Sequence, residues 1–519
     1  MKSSKVSQSP EIPSPALPSE HLLQSQAGTT IPGTLNKFAW AVIVSAIVLG
    51  VVCRFTNLDY HPIWRDEVAT QFYLAAKQPS IDFGQMRTKA EWLQQLNVQS
   101  NVTAADVVHN LADRAAEQEP FYYMMANAWS KIVGETPHNL RMLSALIGVS
   151  AIGGSFLLAM ELFETPLAGG FCAALVALSP FHVHFSQEAR PYELWALAVI
   201  LSSLILLRAD RNRTGKNWLL YALASATGVY THLFSVLVAA AHGLWGLLNK
   251  RLCEGLMLSL AVTFACFYPW YSQIAVHGTK SNWLNAPTLT FQSIPAAIAM
   301  IVTGTFYDSN ATVLPWLQIA LTFLLIAGSL ITMFLFCSKR QSTFAASILF
   351  VPTISLLGYF WWHHSLALFI ERYYTPLFVA IPVCVAGALS VCFNRPKLRI
   401  ASMVTFSGLV IAGAFSSICF LTSPTWHHHA EKTKELAELI NQHAHPVVLL
   451  DAQPGPALAL TGMLRDDAKM MILNSQEAPP NWLSPPYLRA IIYSGATGKF
   501  SCEYVEDPLQ DTTSAPIIR

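Results

Sequence analysis

The sequence has few charged residues for its length. Only 12% of its 519 residues are Asp, Glu, Lys or Arg, whereas 53% are hydrophobic. Soluble domains contain about 25% charged residues, so this composition argues against a soluble protein and predicts an integral membrane protein. The formal net charge of +1 gives no indication of a nucleic-acid partner.

The nine cysteines indicate neither a disulfide framework nor a metal site. Most of them lie inside apolar segments, for example Cys172, Cys266 and Cys384, and only Cys502 lies in a clearly polar region. No pair of cysteines has the spacing of a metal site. Internal sequence repeats are not evident either.

Residues 1–36 contain much Ser, Pro and Gln and few bulky apolar side chains. Such a segment buries too little surface to offset its ordering entropy, so we predict a disordered cytoplasmic tail. The first apolar run, 38–55, begins too far into the chain for a secretory signal peptide and lacks a small-residue cleavage site. We therefore expect it to remain as a membrane anchor.

Apolar runs of the kind that cross a bilayer, which takes roughly 20 residues, recur along the chain. Four clusters of basic residues lie between them and, by the positive-inside rule, are predicted to be cytoplasmic. The clusters are 208–216, 250–251, 339–340 and 395–399. The predicted spans are 38–55, 141–160, 168–185, 191–208, 218–231, 233–249, 256–275, 313–336, 343–362, 368–391 and 399–421.

Two further apolar stretches, 120–134 and 293–307, leave the number of crossings open between eleven and thirteen. Counting both as spans places the central basic clusters outside the cell. We therefore interpret them as juxtamembrane or re-entrant helices, with short crossings as the alternative. The predicted fold is an all-α polytopic membrane protein.

After residue 422 the sequence changes character. A helix-like stretch, 431–443, precedes short apolar runs at 447–450, 470–473 and 490–493. Short apolar runs separated by helical or Pro-rich segments are typical of an α/β domain. The predicted parts are the tail 1–36, a transmembrane catalytic domain 37–421 with the outer loop 56–140, and a small extracytoplasmic α/β domain 422–519.

Two adjacent carboxylates beside an arginine are the strongest functional signal. Trp64-Arg65-Asp66-Glu67 follow the first predicted span, where charges are costly to place beside a membrane. An acidic first helical turn, stabilised by the helix dipole, is one explanation. The other is catalysis, in which Asp66 is a general base and accepts the proton of an acceptor hydroxyl.

A second acid lies in the motif Glu119-Pro120-Phe121-Tyr122-Tyr123. Proline after an acid suits the start of a helix, and aromatic residues suit the membrane interface. A simple helical turn with aromatic anchors therefore explains the motif as well as a functional role does. In the functional interpretation, Glu119 lies near Asp66 and binds a metal ion or orients the acceptor.

Two arginines at the outer ends of predicted spans are candidates for binding a phosphate, because a guanidinium presents a planar fork of donors. Arg190 lies in the motif 186–192, and Arg372 precedes two tyrosines. The alternatives are an Arg190–Glu188 pair and, for Arg372, snorkelling to the interface. The predicted donor-phosphate site also includes Tyr192, His232 and Arg141.

Histidines give weaker signals. A lone histidine such as His232 is more often a hydrogen-bonded interface residue than a catalyst. The run His427-His428-His429 has no ligand partners at fixed spacing, so we interpret it as a solvated linker.

The order of these motifs resembles a known family. In sequence they are 66–67, 119–122, 140–148, 177–182, 186–192, 230–232 and 372–376. Together, over roughly 38–420, they are similar to the bacterial relatives of protein O-mannosyltransferases and of the aminoarabinose transferase that modifies lipid A. These are polytopic glycosyltransferases of the GT-C fold.

The resemblance implies a polyprenyl-phosphate-linked sugar donor, an active site on the outer face of the bacterial plasma membrane, and inversion at the anomeric carbon. The loop acid of the family corresponds to Asp66, with Glu67 beside it, and the second-loop acid corresponds to Glu119. Family members often have two prolines where Phe121 follows Pro120 here, so the resemblance does not extend to substrate preference. Nor does it assign a function to the C-terminal domain.

The predicted function is therefore sugar transfer to a lipid, glycan or protein acceptor. Asp66 deprotonates the acceptor, and Arg372 or Arg190 stabilises the phosphate charge as the C1–O bond breaks. Glu67 and Glu119 position the acceptor or hold a divalent cation. Two or three carboxylates suit Mg²⁺ or Mn²⁺, but the sequence does not show a complete set of ligands.

A transporter or lipid-glycan flippase is the alternative, since it also has many spans and few charges. Transporters usually place their charges near mid-membrane and contain internal repeats. Here the charges gather at one predicted interface. A polymerase or ligase that joins whole glycans is a third option, with the same fold class and a different acceptor.

Overall fold

The computed structural model describes residues 33–76, 84–94, 96, 101–277, 289–308, 314–423, 431–452, 454–473, 486–492 and 500–505. The run His427-His428-His429 and residues 1–32 of the predicted tail lie outside the described residues. The first helix begins at Gly33, slightly before the predicted end of the tail at residue 36.

Helices form most of the described chain. The helices as far as the middle of the chain are α1 (Gly33–Phe55), α2 (Arg65–Ala75), α3 (Lys89–Gln94), α4 (Ala104–Arg114), α5 (Pro120–Val133), α6 (Pro137–Phe163), α7 (Pro166–Ala177), α8 (Pro180–Ser186), α9 (Tyr192–Arg211), α10 (Gly215–Thr231), α11 (Ser235–Leu248) and α12 (Glu254–His277). The later ones are α13 (Ser293–Thr303), α14 (Pro315–Phe336), α15 (Lys339–Trp362), α16 (Thr375–Phe393), α17 (Arg399–Thr422), α18 (Glu431–Asn441) and α19 (Pro454–Met463), with short 3-10 helices at Leu366–Phe369 and Glu371–Tyr374.

Seven of the described helices are long and apolar enough to cross a membrane. The number rises to eight if the bent pair α7 and α8 is counted as one span. This confirms the prediction of an integral, multi-pass membrane protein. The seven are α1, α6, α9, α14, α15, α17, and α16 together with the turn that precedes it.

The remaining predicted spans are also helical, but they differ in length or composition from these seven helices. Helices α10 and α11 have 17 and 14 residues, and α12 contains Pro269 in its interior. The apolar stretches 120–134 and 293–307 form α5 and α13, with 14 and 11 residues. At a rise of about 1.5 Å per residue, α5, α11 and α13 are all shorter than a hydrocarbon core of about 30 Å.

The predicted span 168–185 is bent by 61° between α7 and α8. Pro180 begins α8, and a proline cannot continue the hydrogen bonding of a preceding helix. The buried guanidinium of Arg54 donates to the carbonyls of Val176 (3.1 Å) and Ala177 (2.7 Å). These bonds satisfy acceptors that the end of a helix leaves open, so Arg54 stabilises the bend.

The four basic clusters of the sequence lie together at one end of the helical domain. The buried carboxylate of Asp210 pairs with Arg213 (3.0 Å), Arg251 (3.2 Å) and Arg340 (3.4 Å), which belong to three of the clusters. In the fourth cluster, the Arg395 guanidinium lies 3.9 Å from the ring centre of Phe336, close to the start of α15. The packing therefore agrees with the positive-inside prediction, which places all four basic clusters on one side of the membrane.

The C-terminal residues form the predicted α/β domain around a five-stranded sheet of order β1-β3-β2-β4-β5. Strand β2 is parallel to both β3 and β4, and the two edge strands β1 and β5 are antiparallel to their neighbours. The strands are β1 (Met86–Thr88), β2 (Val447–Asp451), β3 (Lys469–Leu473), β4 (Tyr487–Ile492) and β5 (Phe500–Val505).

Strand β1 comes from the first loop, not from the C-terminal residues. The same apolar core contains Val68 and Phe72 of α2 together with Leu450 and Leu458 of the C-terminal domain. Trp92 is fully buried there, and its indole N–H donates to the Met470 carbonyl at 2.9 Å. The predicted boundary at residue 422 thus does not separate two independent units, because the first loop contributes to both.

Candidate active site

Asp66 lies in the first turn of α2, next to Arg372 from the turn before α16. Oδ2 of Asp66 is 3.3 Å from Nη2 of Arg372, and Oδ1 is 3.4 Å from Nε of Arg65. The Asp66 side chain is 18% exposed. A carboxylate with this exposure can reach both its cation and a bound molecule, as a general base requires.

Aromatic rings surround the Arg372 guanidinium, which is buried. Its central carbon lies 5.5 Å from the ring centres of Trp64 and Tyr192 and 5.8 Å from that of Tyr373. Its Nε has no hydrogen-bond partner among the described residues. Cation–π contacts of this kind hold a guanidinium in place while leaving N–H donors available for an anion.

Arg190 is also buried near Tyr192, whose ring centre lies 5.8 Å from the guanidinium carbon. It donates to the hydroxyl of Tyr123 and to the side-chain oxygen of Gln118, both at 3.0 Å. It also donates to the Asp66 carbonyl at 3.3 Å. All these acceptors are neutral, and no ion pair of Arg190 occurs within the described part of the chain.

This geometry places Asp66, Arg190, Tyr192 and Arg372 in one cluster. The alternative of an Arg190–Glu188 ion pair is not found among the described residues. Burying a cation without a compensating anion is unfavourable, so the cluster has the charge expected of a site for an anionic ligand.

Glu67 has a different environment from its neighbour. Its oxygens accept from Nε and Nη2 of Arg141 at 2.8 and 2.6 Å, and Oε1 also accepts from the Ala189 amide at 3.1 Å. Arg141 in addition donates to the carbonyls of Leu58 (2.7 Å) and His61 (2.8 Å). Both side chains are 2% exposed.

The prediction that Arg141 binds the donor phosphate does not agree with this arrangement, because its donors hold Glu67 and the chain before α2. Glu67, predicted to position the acceptor or hold a divalent cation, likewise has both of its oxygens engaged by hydrogen bonds from protein groups. The pair instead fixes the start of α2, and with it the position of Asp66.

Glu119 precedes α5 and is buried. Its Oε1 accepts from the Leu233 amide at 2.6 Å, so it connects the first loop to the turn between α10 and α11. Burial raises the pKa of Glu119 to about 8. The described contacts of Glu119 do not include Asp66, so its predicted place beside that residue is not seen.

His232 stacks on Trp195, with ring centres 3.8 Å apart and planes inclined by 9°. Its Nδ1 accepts from the Phe234 amide at 3.3 Å. Removal from solvent and the charges of Arg190 and Arg372 lower the pKa of His232 to about 3. The neutral ring thus packs beside the cluster, as the interface interpretation expects, and contributes no positive charge to a phosphate site.

Sequence reasoning missed Glu188 as a functional residue and treated it only as a partner for Arg190. The structure buries it completely, and neither of its carboxylate oxygens has a hydrogen-bond partner among the described residues. Nε2 of His184 lies 3.9 Å from its Oε2. Its place in the motif between Ser186 and Tyr192, between two candidate spans, is the signal that could have indicated it.

The two carboxylates predicted to hold a divalent cation, Glu67 and Glu119, have separate partners and share none of their described contacts. Within the described ranges, no group of three or more His, Cys, Asp or Glu side chains converges in the manner of a metal site. The need for Mg²⁺ or Mn²⁺ stays a prediction, separate from the arginine cluster.

A cleft of about 190 Å³ is lined by residues that neighbour the cluster in sequence or in space. Glu371, which precedes Arg372, and His184, which lies beside Glu188, both line it. Its other walls are largely apolar and include Phe181, Met300 and Tyr307. A largely apolar cleft with a few polar groups in its wall suits a molecule with a hydrocarbon part.

The comparisons with known proteins concern the family and the fold. Residues 117–272 match the family described as dolichyl-phosphate-mannose-protein mannosyltransferase. The comparison with curated proteins found no match.

Two solved structures of ArnT from Cupriavidus metallidurans are similar to the chain. The apo structure has 13% sequence identity and a TM-score of 0.54, over 88% of this chain and 93% of that one. The structure bound to undecaprenyl phosphate has 13% identity and a TM-score of 0.53, over 86% and 92% of the two chains. These similarities confirm the predicted GT-C fold and the resemblance to membrane glycosyltransferases.

Proposed function

We propose that this protein transfers a sugar from a polyprenyl-phosphate-linked donor to an acceptor, with inversion at the anomeric carbon. The observation that carries the proposal is the contact of Asp66 with Arg372 beside the buried Arg190. One carboxylate and two guanidiniums in a single cluster supply both a general base and a phosphate site. The family match and the ArnT-like fold support the same class of reaction.

The donor phosphate is the proposed counter-ion of the two arginines. Arg190 has only neutral hydrogen-bond partners among the described residues, and Arg372 forms an ion pair with Asp66. A phosphate between them neutralises the excess positive charge and accepts from donors that are already in position. The ring of Tyr192 lies close to both guanidiniums, with its centre 5.8 Å from the Arg190 carbon and 5.5 Å from the Arg372 carbon.

Asp66 becomes available as the base when the phosphate binds Arg372. The acceptor hydroxyl or amine attacks C1 of the sugar from the face opposite the phosphate, and its proton moves to Asp66. The C1–O bond breaks toward the phosphate, and both guanidiniums stabilise the developing charge. One displacement of this kind inverts the configuration at C1.

The cleft beside Glu371 and His184 is the proposed entry of the lipid part. Its apolar wall includes residues of α13, a helix too short to cross the membrane. The ArnT structure with undecaprenyl phosphate indicates that a protein of this fold accommodates such a lipid. A polyprenyl chain can therefore lie among the helices while its phosphate reaches Arg372.

The proposed location is the extracytoplasmic face of a bacterial plasma membrane. Tyr192 begins α9 beside the site, and Arg211 ends the same helix among the basic clusters. A helix of 20 residues is about 30 Å long, which matches the thickness of the hydrocarbon core. Because basic clusters favour the cytoplasm, the site lies on the opposite side.

Sugar transfer from a labelled donor tests the proposal. Purified protein in lipid vesicles is given a polyprenyl-phosphate sugar, radiolabelled in the sugar, with envelope lipids and proteins as acceptors. We expect label in an acceptor together with free polyprenyl phosphate. Asp66→Asn should abolish this, whereas Asp59→Asn, an exposed loop acid paired with His138, should not. Intact donor crossing the vesicle membrane without cleavage would favour the transporter alternative.

A further inference from the structure

Glu188 is a buried carboxyl group that the proposed transfer does not yet use. It is completely shielded from solvent, and neither of its oxygens has a hydrogen-bond partner within the described residues. Buried polar groups are nearly always hydrogen-bonded, and an exception points to a missing partner or a functional role. The neighbours of Glu188 indicate what this functional role is.

The backbone on either side of Glu188 is fixed against the helix that carries Asp66. The Ala189 amide donates to Oε1 of Glu67 at 3.1 Å, and the Ala189 carbonyl accepts from the Thr70 hydroxyl at 3.0 Å. Glu188 and Arg190 flank this residue. Both side chains are therefore held at defined positions relative to α2.

Several charged and titratable groups face Glu188. They are Asp66 and Glu67 on α2, Tyr122 on α5, Arg141 on α6, Arg372 before α16, and His184 and Arg190 on its own segment. Burial raises the pKa of Glu188 to about 8, against the opposing effect of Arg372. At neutral pH its acid form therefore prevails.

We propose that Glu188 is a second catalytic residue, which donates a proton to the phosphate oxygen as that oxygen leaves C1. This inference rests on the proposed function. Neither oxygen of Glu188 has a protein hydrogen bond among the described residues, so its proton is available to an incoming phosphate. Arg372 and Arg190 hold the charge of that phosphate, and Glu188 supplies the proton that they cannot.

The proton and electron balance is complete. The acceptor forms a bond to C1 and loses its proton to Asp66. The C1–O electron pair goes to the phosphate oxygen, which takes the proton of Glu188, so the product is the polyprenyl phosphate monoanion. Asp66 then releases a proton and Glu188 takes one up, with His184, 3.9 Å away and lining the cleft, as the group next to it.

The pH dependence of transfer tests the inference in the full-length protein. Glu188→Gln keeps the size of the side chain and leaves both arginines in place. It replaces the acidic O–H with an amide, which does not release a proton. We expect a drop in kcat of about a hundredfold, near the lower end of the range for general-acid catalysis because phosphate is a good leaving group, with little change in KM for the donor. Wild-type kcat should also decline above pH 8 or so, where Glu188 loses its proton.

Two control variants separate this effect from others. Glu193→Gln changes another fully buried glutamate, whose partner is His182 at 3.1 Å, and should retain the alkaline decline. Glu119→Gln removes another buried carboxyl group whose pKa lies at about 8, and should also retain the alkaline decline. Thermal unfolding of each variant checks that the protein is folded.

The outcomes are distinguishable. Loss of the alkaline decline in Glu188→Gln alone, with low kcat and unchanged KM, supports the inference. A Glu188→Gln protein that transfers sugar at the wild-type rate with the same decline overturns it and leaves the proposed function intact. A wild-type protein that consumes no donor overturns the proposed function and this inference together.

Discussion

Nη2 of Arg372 lies 3.3 Å from Oδ2 of Asp66, so the site without ligand holds its proposed base against its proposed phosphate ligand. The contact keeps the base occupied until an anion competes for the guanidinium. Binding of the donor and activation of the base are then one event, which limits reaction of the site with water or acceptor alone.

Replacement of Arg372 should affect both the binding and the cleavage of the donor. We expect Arg372→Ala to lower kcat/KM by about a hundred- to a thousandfold, since it removes an electrostatic contact to developing charge. Arg372→Lys should recover part of this loss by restoring charge, but not the planar fork of donors. Arg395→Ala, a change at the opposite end of the helical domain, is the control in a steady-state assay with labelled donor.

Arg190 should contribute more to the binding of polyprenyl phosphate than to the stability of the protein. Arg190→Met removes a buried charge but also the hydrogen-bond donor of Tyr123 and Gln118, so these opposing effects should leave the melting temperature nearly unchanged. The same variant should lose most of its affinity for polyprenyl phosphate. Melting curves with and without that lipid measure both effects, since a ligand that binds only the folded protein stabilises it. A variant that melts earlier and still binds the lipid would contradict this role.

The Glu67–Arg141 pair should be needed for folding. Removing one partner of a buried ion pair typically costs about 3–5 kcal/mol, so Glu67→Gln should lower the melting temperature and the yield of folded protein. Glu67→Leu combined with Arg141→Met should restore part of the stability. If Glu67→Gln instead melts like the wild type and fails to transfer sugar, the predicted catalytic role of Glu67 is correct after all.

Stability should decrease with rising pH because of Glu119. Its pKa rises from 4.5 to about 8 on folding, so the folded protein binds a proton that the unfolded chain releases. The stabilisation is complete below pH 4.5 and is lost as the pH rises toward 8. The melting temperature of Glu119→Gln should therefore depend less on pH over this interval, and equal slopes for both proteins would count against the buried acid.

The sequence predicts the parts of this site that depend on position along the chain. Asp66 follows an apolar run, and Arg190 and Arg372 begin later ones, so the order of runs and charges assigns all three to one membrane face. Alternation of spans and the positive-inside rule suffice for that step.

Contacts between distant segments are not predictable in this way. Arg141 resembles any arginine at the start of a span, and only the packing of α6 against the first loop shows that it holds Glu67. For the same reason the burial of Glu188 cannot be inferred from its motif. Hydrophobic patterns report local structure and membrane topology, whereas partners of buried charges are set by tertiary packing.

The pairing of Met86 with Met471 at the edge of the sheet has a consequence for biosynthesis. The first loop is translated early, but its strand and the apolar side of the Asp66 helix find their partners only when the last hundred residues emerge. Contacts so far apart in sequence form late. A nascent chain that lacks these residues would therefore hold the Asp66 helix only through earlier partners such as Arg141, and the enzyme would acquire its full reactivity only after the C-terminal strands are in place.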